Sequence, residues 1–216
     1  MSEEKKNQKE ALAATEGGAR SGAIRSEARL GSFEWVESLI IAIIVVGVIF
    51  TFVFRIITVN GQSMYPNLHN NDRLVVSSWF YNPSKGDVVI LKRTEGLNEP
   101  IVKRVIATEG DKVAIRDGHV YLNDQLLDET AYLDESVETF LPSTHAELMD
   151  ELEEGMVVPE GCIFVLGDNR GDSMDSRYTA VGMVDKRYVL GKAQFTIFPF
   201  SRFGGVADEA AVPVNG

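Results

Sequence analysis

The sequence predicts a mainly β domain tethered by one N-terminal apolar helix. Three observations carry that prediction. One uncharged run of about 17 residues, 38–54, stands near the N-terminus. Short β-branched runs recur through the remainder, and only one stretch carries helical signals. Apolar residues make up 44% of the chain and charged residues 25%, which is ordinary for a globular protein.

Residues 1–33 are rich in Ala, Gly, Ser, Glu and Lys/Arg without apolar periodicity, the pattern of a disordered tail. Residues 34–57 follow as a membrane anchor. A buried strand or core helix is the alternative, but a soluble chain of this size rarely spends so long an apolar run on one element. A cleaved leader would start earlier and end in small residues, whereas this run ends in Phe54 and Arg55. Lys5, Lys6, Lys9, Arg20, Arg25 and Arg29 precede the span, and only Arg55 and Arg73 follow it closely. Positive-inside bias then puts the N-terminus in the cytoplasm and the rest outside.

Residues 58–204 read as one β-rich extracytoplasmic domain, with strands over 73–77, 87–91, 101–108, 112–116, 119–122, 162–166 and 189–198. Asp117-Gly118 is a two-residue hairpin signal. An acidic insertion, 134–157, holds the helical stretch 144–154, with Thr144 and Glu147 as a capping box and Gly155 as the stop. Its charge run reads as a solvated face. Residues 205–216 read as a flexible C-terminal tail.

Several chemistries are disfavoured. The formal charge of −11 argues against nucleic acid as a partner, because phosphate neutralisation needs a basic face. Cys162 is the single cysteine, so no internal disulfide forms, and in CIFVL it reads as a small core residue. His69, His119 and His145 match no metal-ligand spacing, so no metal or cofactor is expected.

Three patches concentrate reactive side chains. In NGQSMYPNL, residues 60–68, turn formers surround Ser63 and leave backbone amides able to face a ligand. Alone, a serine in such a turn is commonly structural. In IVKRVIATEGD, residues 101–111, alternation puts Lys103 on one strand face with Ile101 and Val105, and Arg104 on the other with Val102 and Ile106. One of the two cations must sit among apolar neighbours, unless Lys103 is a solvated edge lysine. GDNRGDSMDSR, residues 167–177, reads alone as an ion-paired or calcium-type loop, although it lacks the acidic alternation of an EF-hand.

In this order and behind an anchor, the three patches resemble the bacterial type I signal peptidases of the Gram-positive, single-span kind. Asp72-Arg73-Leu74 and GDVV at 86–89 belong to the same pattern. The resemblance implies a fold of packed antiparallel sheets, Ser63 as nucleophile and Lys103 as general base. It places Gly61 at the oxyanion-hole position, with the hole built from backbone amides, chiefly that of Ser63. It makes Ser173 the residue that hydrogen-bonds and positions the lysine, and Met64 and Pro66 part of the nucleophile motif. Asp168, Asp175 and Arg177 become an ion-paired scaffold that Arg104 joins. Asn67 departs from the family's usual Thr at a position expected to touch no chemical step. The implied partners are secretory precursors carrying signal peptides, and the lipid bilayer.

The residues support that chemistry independently. A serine hydroxyl needs a base to take its proton, and lysine serves only when neutral, so burial must lower its pKa. A self-cleaving repressor with a similar dyad would need a DNA-binding module, which nothing in this acidic chain suggests. A membrane-tethered binding module without catalysis would lack a motif residue, and all three of Ser63, Lys103 and Ser173 are present.

Overall fold

A computed structural model describes residues 35–48, 50, 53–79, 81–92, 99–142, 146–207 and 212–213. The chain divides into two units, Met1–Phe52 and Val53–Gly216. In the first, a helix (α1) covers residues 35–48. Trp35, Leu39, Ile40, Ile43, Ile44 and Val48 on it are all half or more exposed. Among the described residues no helix is long and apolar enough to cross a membrane. Residues 50 and 53 are helical as well, residues 34, 49, 51 and 52 of the expected span lie outside the described set, and its last residues belong to the first strand of the second unit, β1 (Phe54–Thr58).

That strand corrects the expected end of the anchor. Its sequence FRIIT is β-branched and pairs antiparallel with β2 (Arg73–Ser77), Phe54 facing Ser77 and Thr58 facing Arg73. It is the sheet's outer edge, which is why Ile56 stays exposed although it continues an apolar run.

The larger sheet also takes in β3 (Val88–Leu91), β4 (Ile101–Thr108), β9 (Cys162–Leu166), β10 (Val184–Asp185), β11 (Val189–Phe198) and β12 (Gly204–Gly205). Its order is β1-β2-β11-β3-β4-β9-β10, with β12 against β11, and the recorded pairings are antiparallel. β4 lies inside it, with Val89 facing Lys103 and Leu166 facing Arg104. Both faces of β4 are covered, so Val102 to Ala107 are all buried. A side chain such as Val105 or Ile106 contributes roughly 1.5–3 kcal/mol by burial. The register with β9 shifts between Val105 and Ala107, a bulge.

The smaller sheet, β13-β7-β6-β5-β8, comprises β5 (Lys112–Arg116), β6 (His119–Leu122), β7 (Gln125–Asp128), β8 (Met156–Val157) and β13 (Val212–Pro213). Asp117 and Gly118 both take positive φ, 50° and 77°, in the tight turn the sequence predicts between β5 and β6. Asn123 and Asp124 repeat the device at 53° and 65° between β6 and β7. The helix of the insertion, α2 (Ala146–Glu154), buries Leu152 against this sheet's core. Gly155 stops it with φ +107°, its N–H donating to the Glu151 carbonyl. Thr144 lies outside the described residues. Cys162 is half-buried against the same core, and burial raises its thiol pKa.

Candidate active site

The turn between β1 and β2 is built to hold one serine. Gly61 takes φ +93°, a conformation that side-chain-bearing residues rarely adopt, and its N–H donates to Asn70 Oδ1 at 3.0 Å. Met64 and Leu68 anchor the segment in the core, and the Leu68 N–H donates to the Met64 carbonyl at 2.8 Å. The Tyr65–Pro66 peptide is cis, and Pro66 stays exposed. Ser63 is half-buried between these anchors.

Lys103 reaches it from β4. The side chain is 2% exposed; its Nζ lies 2.7 Å from Ser63 Oγ and donates to the Val102 carbonyl at 2.9 Å. Burial lowers its pKa from 10.5 to about 8; Asp175 and Asp168 pull the other way, and Arg177 adds to the lowering. The amine is therefore partly neutral near pH 8, and a neutral amine offers a lone pair to the hydroxyl.

The loop after β9 clamps the pair. Arg104 and Asp168 form a two-pronged ion pair, both bonds 2.8 Å, with each side chain 1% exposed. The remaining guanidinium nitrogen of Arg104 donates to the Gly86 and Ala207 carbonyls, and the group lies over the Tyr132 ring at 4.1 Å. Asp175 accepts from Arg177 at 2.8 and 2.9 Å and from the Gly167 N–H at 3.0 Å. Removing one partner of a buried pair costs about 3–5 kcal/mol, so these pairs act as scaffold. Arg170 is tied likewise to Glu129 and to the Gly167 carbonyl.

Residues 32–198 match the family described as signal peptidase, peptidase S26. The chain belongs to that family. Signal peptidase I of Bacillus licheniformis is 39% identical over 176 residues, covering 78% of this chain and 90% of the relative. Signal peptidase I S of Bacillus subtilis (strain 168) is 33% identical over 171 residues, with 78% and 90% covered. Signal peptidase IB of Staphylococcus aureus is 33% identical over 179 residues, with 79% and 91% covered. A signal peptidase I crystal structure from Enterococcus faecalis V583 aligns at 28% identity and TM-score 0.41, over 53% of this chain and 98% of that one. The family membership rests on the sequence matches. The chain is thus a signal peptidase of type I, a serine endopeptidase.

The fold of this signal peptidase brings Ser63, Lys103, Met64, Asp168, Asp175 and Arg177 together. Ser173, expected to position the lysine, has its hydroxyl buried without a hydrogen-bond partner among the described residues. The recorded bonds of the amine go to Ser63 Oγ and the Val102 carbonyl, and the Ser173 hydroxyl sits instead against Gly167. At Gly61, the expected oxyanion-hole position, the backbone N–H donates to Asn70 Oδ1.

Sequence reasoning also passed over residues that the structure brings in. Asn67 donates through Nδ2 to Asp168 Oδ2 and to the Tyr132 carbonyl, both at 2.8 Å, so the departure from Thr ties the serine turn to the third motif. Asn169 and Arg170 stood inside the quoted GDNR without a role. Glu129 and Tyr132 carried no signal, since only the folded chain puts them beside Arg170 and Arg104.

Proposed function

We propose that the protein is a membrane-tethered endopeptidase that removes signal peptides from secretory precursors with a Ser63/Lys103 dyad. The observation that carries the reading is the 2.7 Å hydrogen bond between a buried, pKa-depressed amine and a half-buried serine hydroxyl. Neutral Lys103 takes the hydroxyl proton as Ser63 Oγ attacks the scissile carbonyl carbon. The carbonyl oxygen becomes an oxyanion and accepts from the Ser63 N–H, which has no other acceptor among the described residues. Collapse breaks the C–N bond, and the lysine ammonium gives its proton to the leaving amine. Water then attacks the acyl-serine with Lys103 again as base, which restores the hydroxyl.

A cleft of about 390 Å³ supports an extended peptide with small apolar side chains. Ile57, Val59, Ile90 and Val102 line it, on segments that continue directly into Ser63 and Lys103. The lipid side of the reading is supported by the exposed apolar surface of α1. In the second unit, Trp79, Phe198 and Phe200 are 60%, 44% and 81% exposed, so these aromatics are not core residues. Tyr81 differs, since its hydroxyl donates to buried Asp87. Phe80 lies outside the described residues.

The test is incubation of the purified protein with a precursor, followed by mass measurement of the product N-terminus. Cleavage after the signal peptide is expected from wild type and none from Ser63→Ala. Equal cleavage by the variant would remove Ser63 from the chemistry. For orientation, protease added to intact spheroplasts should digest the β domain and spare residues 1–35. A protected domain would reverse the topology.

A further inference from the structure

Asn169 makes two contacts to the serine turn, and both go to carbonyls that flank Ser63. Its backbone N–H donates to the Ser63 carbonyl at 3.0 Å, and its side-chain Nδ2 donates to the Gln62 carbonyl at 3.2 Å. The Gln62 carbonyl also accepts from the Tyr65 N–H at 3.0 Å. The two peptide planes on either side of the Ser63 Cα are therefore held from one residue, 107 positions away in the chain.

The Gln62–Ser63 peptide is trans, so its N–H points opposite to its C=O. Fixing the Gln62 oxygen fixes the direction of the Ser63 N–H. Hydrogen bonds accepted by a carbonyl also polarise the N–H of the same peptide and strengthen it as a donor. Among the described residues the Ser63 N–H has no acceptor, whereas the Gly61 N–H is taken by Asn70.

We propose that Asn169 is a positioning residue for the oxyanion-binding amide: its carboxamide aims and polarises the Ser63 N–H through the Gln62 carbonyl. The proposal rests on the reading of Ser63 as nucleophile. It differs from a scaffold role because it acts when negative charge has developed on the substrate oxygen, not when substrate binds.

The experiment compares wild type with Asn169→Ala and Asn169→Asp. The Asp variant keeps side-chain shape and backbone N–H while replacing the Nδ2 donor by a carboxylate oxygen. Each protein is assayed for peptide cleavage and for binding two probes of identical sequence with small apolar side chains. One is a peptide aldehyde, which adds reversibly to the serine: the Oγ–C bond forms, the C=O π bond opens onto oxygen, and the hydroxyl proton passes to Lys103. The other is the matching peptide alcohol, which has no carbonyl to attack. The expected result is a fall in kcat of about 5–50-fold, of the size expected for weakening one oxyanion donor. KM should stay within about 2-fold, aldehyde affinity should fall by the same factor as kcat, and alcohol affinity should be unchanged. Wild-type kcat and aldehyde affinity in a folded Asn169→Asp protein would overturn the proposal. Equal losses for aldehyde and alcohol would also overturn it, because that is a binding or scaffold effect. Failure of wild type to form an aldehyde adduct on Ser63 would instead overturn the nucleophile assignment.

Discussion

Lys103 combines a position and a proton state that ordinarily exclude each other. Burial brings its pKa from 10.5 to about 8 against the pull of Asp175 and Asp168. Below that value the amine is charged and cannot take a proton. The expected kcat/KM therefore rises as pH passes about 8 and levels off on the alkaline side, measured from about pH 6 to 10. Lys103→Arg should be folded and inactive across the range, because guanidinium stays charged; activity in that variant would place the base elsewhere. The same burial costs stability. Between about pH 8 and 10.5 the unfolded chain holds a proton that the folded chain has released, so wild-type stability rises with pH across that window. Below it, the penalty is on the order of 3 kcal/mol. Lys103→Met removes the charge at similar length, and denaturant unfolding at pH 7 should show it more stable than wild type. The gap should close above about pH 10.5. At this scale the meeting of Ser63 with Lys103 was legible, because each stands in a dense local motif. Asn67 was not, since its partner Asp168 is 101 residues away and nothing local marks the pair.

Among the elements, β4 shows why alternation gives only part of the answer. The sequence places Lys103 and Arg104 on opposite faces and requires one of them among apolar neighbours, and the sheet buries both. Only the path of the loop after β9 supplies Asp168 to Arg104, so the second burial could not be read locally. The β5–β6 hairpin was legible because Asp117-Gly118 suits a turn with two positive φ angles. β7 escaped notice because QLLD has no β-branched residue, and β1 because an apolar edge strand continues an apolar run. One close approach at the β9–loop junction yields a sharp expectation. A Cβ on Gly167 would lie 2.1 Å from Ser173 Oγ, 2.5 Å from Ser173 Cβ and 2.5 Å from the Ser63 carbonyl oxygen. Gly167→Ala should therefore cost at least 10-fold in kcat, since displacement of the serine backbone by about 1 Å has effects of about 100-fold. Adding Ser173→Ala should not restore it, because the Ser63 carbonyl remains in the way. Recovery of activity in the double variant would mean that the hydroxyl alone made the clash.

At the scale of the molecule, the chain divides into two units, Met1–Phe52 and Val53–Gly216. Among the described residues, the second unit holds three hydrophobic clusters, Ser63 with Lys103, and the buried ion pairs around them. A fragment starting at Val53 is expected to fold cooperatively and to cleave a soluble signal-peptide analogue with kcat within about 10-fold of the full chain, since no described site residue precedes it. Loss of all activity in a folded fragment would assign part of the site to the N-terminal unit. On the proposed tethering, membrane-embedded precursors should be cut more slowly by the fragment than by the full chain, because tethering raises effective concentration.

The parts of the site are scattered along the chain. Ser63 meets Lys103 across 40 residues, Arg104 meets Asp168 across 64, and Asn169 meets Gln62 across 107. Synthesis runs from the N-terminus, so the serine emerges long before the loop that braces it. A chain that ends before residue 168 lacks the partners of Arg104 and of the serine turn. Contacts this distant in sequence also form late in folding, since their loop-closure entropy must be met first. The hydrolytic geometry is thus complete only once the last third of the chain has docked onto the serine turn, and it is lost when the sheet opens.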